Sequence, residues 1–220
     1  MSNVLVVCGS DACLAPAAAV ALRAGLEEAG GSGAVVVQTA GVRAEVGTPW
    51  CADSARFAGA NGEQTRWAHR ARQVTGAMVQ EADVILATER RYRSAPRAFD
   101  VHSAHRTFTV LEAAVLGAAV VQRRASDLAV RARHAKVATD TASQLAWLVE
   151  EMDSLRGLVT MPAPAHGWLS RIPRSHVLGI DVLDPHMMGG HHRQAVSALD
   201  RAMRTFAVTI SQVTARTVAV

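Results

Sequence analysis

The feature that most constrains the fold is the run Val4-Leu5-Val6-Val7-Cys8, continuous, mostly β-branched and ending in Gly9-Ser10-Asp11. A short apolar run without polar alternation reads as a strand buried on both faces of a parallel sheet. Parallel neighbours must be joined by a crossover, usually a helix. The chain supplies one: Pro16 suits a first helical turn, Ala17 to Ala29 is an alanine-rich helical stretch, and Gly30-Gly31 closes it. A second run, Ala34-Val35-Val36-Val37-Gln38, follows, so residues 1–40 form a β-α-β unit with a right-handed crossover.

The remainder continues this alternation. Residues 41–64, rich in Gly and broken by Pro49, read as a long loop. A helical pattern runs from Thr65 through Arg72 and restarts at Thr75, a candidate cap, to Glu81. Asp83 to Ala87 reads as a third buried strand, Glu89 to Ala95 as a helix closed by Pro96, and Arg106 to Val110 as a fourth strand feeding a helix over Leu111 to Ala119. Thr139 to Leu155 carries an amphipathic stripe of Leu145, Leu148, Val149 and Met152. Gly157 to His176 reads as a surface loop, and a last helix spans about Gly190 to Val213 with Ala195, Leu199, Ala202, Met203 and Phe206 inward. The expectation is one α/β domain over 1–220.

Composition narrows the function classes. The formal net charge is +4, carried almost wholly by arginine, with Lys136 the one lysine. Basic and acidic residues are interspersed, which describes a solvated surface and excludes a charged tail. Neither nucleic acid nor a membrane is expected as a partner. The apolar run at the start is far shorter than a signal peptide needs, and the longest, Ala113 to Val121, is too short to span a bilayer. Three cysteines, Cys8, Cys13 and Cys51, make no disulfide framework and suit a reducing cytoplasm. Cys51 has no assigned chemistry. His186, His191 and His192 match no closed set of metal-ligand spacings, His166 and His176 have no readable pairing, and no metal or other cofactor is expected.

Ligands of open parallel sheets bind outside the carboxyl ends of the strands, which puts the Cys8 to Pro16 loop at the front of the site. Backbone N–H groups of such a loop and a helix amino terminus form an anion cradle, and the same field lowers the pKa of a cysteine at its mouth. Val7-Cys8, five residues, then Leu14, Ala15 and Pro16 resembles the low-molecular-weight protein tyrosine phosphatases, which have Val-Cys, five residues, then Arg, Ser and Pro. Thr39-Ala40-Gly41-Val42, His69 to Thr75, Glu81 to Leu86, Arg106 to Thr109 and Asp181-Val182-Leu183-Asp184-Pro185-His186 resemble further segments of that family in order. The resemblance implies a single three-layer domain, a four-stranded parallel sheet with helices on both faces. Residues around 123–176 are longer than the family core requires.

The resemblance also implies a chemistry. Cys8 would attack a phosphate monoester to give a phosphocysteine, and Asp184 would protonate the leaving group. Gly9, Ser10, Asp11, Ala12, Cys13, Leu14 and Ala15 would form the phosphate loop, His186 and Trp50 would wall the pocket, and Cys8 with Cys13 would keep the spacing of a protective disulfide. Cys13 reads equally as a small buried residue beneath the loop. Three positions depart from the pattern: Leu14 replaces the arginine fork, Ala15 removes a hydroxyl, and Asp11 brings a carboxylate where asparagine is common. The expected activity is therefore weak or lost. The alternatives are a repurposed enzyme acting on a small-molecule phosphate or other electrophile, and a non-catalytic binding or regulatory module whose partner is a phosphorylated small molecule or phosphoprotein.

Overall fold

A computed structural model describes residues 1–30, 34–122, 131, 132, 135, 137, 138, 140–162, 177–189 and 191–218. Strand β1 (Ser2–Cys8) leads through a five-residue loop into α1 (Leu14–Glu28) and returns as β2 (Val35–Gly41). Strands β3 (Val84–Ala87) and β4 (Thr107–Thr109) complete a parallel sheet of order β2-β1-β3-β4. Val4 pairs in register with Val37 on one side and Val84 on the other, so β1 is central. That explains its uninterrupted apolar run, because both of its faces are covered.

The period-two alternation of the strands divides the core. Val4, Val6, Val84 and Leu86 face one layer with α1, α6 (Val110–Gln122), α7 (Thr141–Ser154) and α9 (His192–Val218), while Leu5, Val7, Ile85 and Ala87 face Val74, Val79 and Tyr92 on the other. Leu145, Leu148, Val149 and Met152 of α7 are buried as their stripe predicts, and so are Leu199, Met203 and Phe206 of α9. Helix α7 falls inside the segment read as an addition to the family core, yet it packs in the main core. Much of 123–176, including His166 and His176, lies outside the described residues. Among the described residues no helix is long and apolar enough to cross a membrane.

Three readings need correction. The expected loop over 41–64 contains α2 (Ala52–Phe57) and most of α3 (Ala60–Arg66), separated by Gly59 at a φ of 78°. Those helices are too short to display a full apolar stripe, which is why periodicity misses them. Helix formation then stops before Trp67 rather than running to Arg72, and resumes in α4 (Gly76–Glu81), where the Thr75 hydroxyl accepts from Met78 N at 3.3 Å as a cap. Pro96 does not close a helix. It sits in the first turn of α5 (Ser94–Phe99), after a 3₁₀ turn over Arg90–Arg93, where a missing N–H costs nothing.

A hairpin of β5 (Val177–Leu178) and β6 (Asp181–Val182) precedes α8 (Pro185–Met188). Val182 N donates to Thr88 O at 2.8 Å, and the Asp181 carboxylate accepts from Arg90 N at 2.6 Å and Nε at 2.9 Å. These bonds moor the late segment to the carboxyl end of β3, the edge of the sheet where β1 delivers Cys8. Beneath it, α1 crosses α9 closely at Gly25, where an added Cβ would lie 2.8 Å from Ala207 Cβ and 3.2 Å from Arg204 Cα. Gly25→Leu is therefore expected to destabilise the chain by about 1–3 kcal/mol through overpacking. Urea unfolding measures this, and an unchanged midpoint would contradict the close crossing.

Candidate functional site

The loop after β1 is held from three sides. Val42 N donates to Cys8 O and Arg43 N to Gly9 O, both at 2.9 Å, fastening it to the end of β2. Gly41 permits this approach, because a Cβ there would fall 2.7 Å from Ser10 C and 2.8 Å from Asp11 N. At the far end Trp50 Nε1 and Ser54 Oγ donate to Cys13 O at 3.1 and 2.8 Å, and Cys51 N donates to Ala12 O at 2.7 Å. Trp50, expected as a pocket wall, is 1% exposed and is instead an anchor beneath the loop.

The third tether is Asp11, among the described residues the one non-glycine with positive φ, at 57°. Aspartate tolerates this left-handed conformation better than most side chains. It turns the carboxylate behind the loop, where Oδ2 accepts from Arg72 N at 2.9 Å and lies 3.9 Å from His69 Nε2. His69 Nε2 also lies 2.6 Å from Asp11 O and must carry the proton there, since a carbonyl only accepts. Asp11 is thus a buttress and not an anion pointed into the cradle. Burial pushes its carboxyl above the ordinary range, opposed in part by hydrogen bonds from Arg72 N and the Thr39 side chain and by His69.

Cys8 ends β1 at 3% exposure, and Asp11 N donates to its Sγ at 3.2 Å. Amides of Ala15, Asp11 and Ser10 favour its thiolate, but burial and then the Asp11 charge outweigh them, so the thiol is pushed up to about 12 from 9.0. At neutral pH Cys8 is a protonated thiol. The expected lowering of its pKa by the loop fails because burial dominates; Leu14 and Ala15, at the start of α1, are themselves buried among apolar groups. The arginines around Tyr92 are engaged elsewhere. Arg90 pairs with Asp181, Arg91 with Glu89 and Arg93 with Glu112. The Tyr92 ring instead covers the loop, its hydroxyl 2.8 Å from where a Cβ on Gly9 would stand.

Asp184 N-caps α8, accepting from His186 N at 3.0 Å, and lies in electrostatic reach of Cys13 and Tyr92. His186, expected as a pocket wall, has its Nε2 3.2 Å from His192 Nε2. Cys51 Sγ lies 3.5 Å from the same His192 nitrogen. One donor atom each from Cys13, Cys51, His186 and His192 lies within 4.8 Å of all the others, an arrangement that can hold a metal ion. The sequence reading, built on His186, His191 and His192, misses this set: the cysteines that complete it stand far away in the chain. The three cysteines are free thiols. Cys13 donates to Cys51, which raises the Cys13 pKa and lowers that of Cys51.

A sequence profile described as low molecular weight phosphotyrosine protein phosphatase matches residues 3–114, just over half of the chain. No curated protein sequence matches. Among solved structures, a YwlE mutant from Bacillus subtilis superposes with a TM-score of 0.56 at 17% identity, covering 94% of this chain and 97% of its own. A low molecular weight protein tyrosine phosphatase from Bacillus subtilis gives 0.54 at 17%, covering 94% and 95%. The tyrosine phosphatase AmsI of Erwinia amylovora gives 0.53 at 15%, covering 93% and 90%. At these identities the superpositions establish the fold, with its four parallel strands flanked by helices.

The buried carboxylate sets a prediction with a defined sign. A raised folded pKa means that Asp11 contributes stability below the unfolded carboxylate value and loses it as pH rises. Asp11→Asn keeps the left-handed backbone and an acceptor for Arg72 N but carries no charge. Thermal melts should show the variant more stable than wild type at pH 8, with the advantage shrinking toward pH 4. A variant less stable at pH 8 would contradict the account.

Proposed function

The chain belongs to the low molecular weight phosphotyrosine protein phosphatase family, and from that premise we propose that it is a member in which hydrolysis of phosphate monoesters is weak or lost. The observation that carries this reading is the state of Cys8, a buried thiol pushed up to about 12 by burial and the Asp11 charge. In the family reaction Cys8 would attack phosphorus as a thiolate, an arginine fork would hold the equatorial oxygens, and Asp184 would protonate the departing oxygen. Here the first group is protonated and the second is replaced by buried Leu14. Asp184 stands beyond the matched residues 3–114, at the start of α8. Each transition-state donor removed from an oxyanion site costs on the order of 10²–10³ in rate, so loss of both fork and hydroxyl carries the reaction toward the uncatalysed level.

What the loop retains is a set of amides, from Ser10, Asp11 and Ala15, converging on the Cys8 sulfur. That supports a role in holding a phosphorylated small molecule or phosphoprotein without turning it over. Three free thiols suit a reducing compartment such as the cytoplasm.

Hydrolysis of a generic aryl phosphate by wild type, Cys8→Ser and the double variant Leu14→Arg with Ala15→Ser tests the reading. Wild type is expected to match Cys8→Ser, with turnover rising above that baseline only in the double variant. Substantial wild-type turnover abolished by Cys8→Ser would overturn the proposal.

A further inference from the structure

Four side chains from distant parts of the chain bring their donor atoms to one point beside the loop. Cys13 caps α1, Cys51 precedes α2, His186 is on α8 and His192 opens α9. Two thiols and two imidazoles are the donor set of closed Cys₂His₂ zinc sites. We propose that Cys13, Cys51, His186 and His192 bind one zinc ion tetrahedrally and thereby fasten the end of the loop to the C-terminal part of the chain.

The geometry can be checked against the ion. With Zn–S near 2.3 Å and Zn–N near 2.0–2.1 Å, a regular tetrahedron has edges of about 3.3 Å between nitrogens, 3.6 Å between sulfur and nitrogen, and 3.8 Å between sulfurs. His186 Nε2 and His192 Nε2 are 3.2 Å apart, and Cys51 Sγ and His192 Nε2 are 3.5 Å apart. No pair exceeds 4.8 Å, so the widest edge closes by about 1 Å at most. A disulfide between Cys13 and Cys51 would use two of the groups and leave the convergence of two imidazole nitrogens on the same point without a cause.

The surroundings are already arranged for ligation. Trp50 Nε1 and Ser54 Oγ hold the Cys13 carbonyl, Ala12 O holds Cys51 N, and Asp184 holds His186 N. These bonds hold the backbone from which three of the four ligands project. Binding is a proton exchange without redox: Cys13 and Cys51 each form a sulfur–zinc bond and release their thiol protons to solvent, while each imidazole donates the lone pair of its Nε2. The two thiolates cancel the charge of the ion, so the site adds no net positive charge beside Cys8. With four protein ligands it has no open position for substrate. Two ligands precede residue 114 and two follow it, so the ion joins the part matched by the family profile to the part beyond it. Cys13 becomes unavailable as a disulfide partner for Cys8.

The full chain, expressed with added zinc and purified under reducing conditions without chelator, should contain about one zinc per molecule by mass spectrometric metal analysis. Cobalt exchange should give the intense visible bands of a tetrahedral ion with thiolate-to-cobalt charge transfer in the near ultraviolet. Cys8→Ser should keep the metal, and Cys51→Ser and His192→Ala should each lower zinc content at least about tenfold. Because the cobalt spectrum is read on the wild type, unfolding of a variant does not decide the matter. A folded wild type free of zinc, a cobalt spectrum without thiolate charge transfer, or a Cys13–Cys51 disulfide in that preparation would each overturn the proposal.

Discussion

Everything at the carboxyl edge of the sheet depends on the burial of Asp11 beneath its own loop. A five-residue turn between a central strand and a helix has to satisfy its backbone groups within a very small space. Here it does so by placing one residue at a φ of 57° and sending its carboxylate backward to Arg72 N. That bond ties the loop to the strand-like segment after α3, while Gly41 lets β2 close upon it and Trp50 closes it from the other end. The arrangement gives a rigid loop and also fixes its electrostatics. A carboxylate lodged against the rear of the loop opposes ionisation of Cys8, so the feature that holds the scaffold together also works against its thiolate.

Two structural roles therefore meet in one short segment. The front of the loop turns the amides of Ser10, Asp11 and Ala15 toward Cys8. Its end, at Cys13, belongs to a different group of side chains altogether, facing Cys51, His186 and His192. Leu14 and Ala15 extend the apolar core up to the start of α1, where a phosphate-binding helix would show polar groups. Packing and ligand-type side chains thus anchor the loop independently of any group bound at its front.

The legible part of the sequence was the part governed by periodicity. The runs at Val4 to Cys8, Ala34 to Gln38 and Asp83 to Ala87 announce buried strands, and the stripe of Leu145, Leu148, Val149 and Met152 announces α7. Periodicity fails for α2 and α3, because six or seven residues rich in Ala, Gly and Ser do not sample enough turns. Motif position pointed to the loop between Cys8 and Leu14, but not to the direction of the Asp11 side chain, which depends on a left-handed backbone that a linear pattern does not display. The cysteine–histidine cluster was hidden for another reason: its members stand at 13, 51, 186 and 192, and only the folded chain gives that spacing meaning.

The account turns on the protonation state of Cys8, and this can be read directly from the ultraviolet thiolate absorbance of the native chain. Subtracting the titration of Cys8→Ser from that of wild type isolates the one thiol. The account predicts no difference at neutral pH and a rise only toward the alkaline limit, in keeping with a thiol pushed up to about 12. A difference titration with a midpoint at or below about 7, the range of activated cysteines, would contradict it.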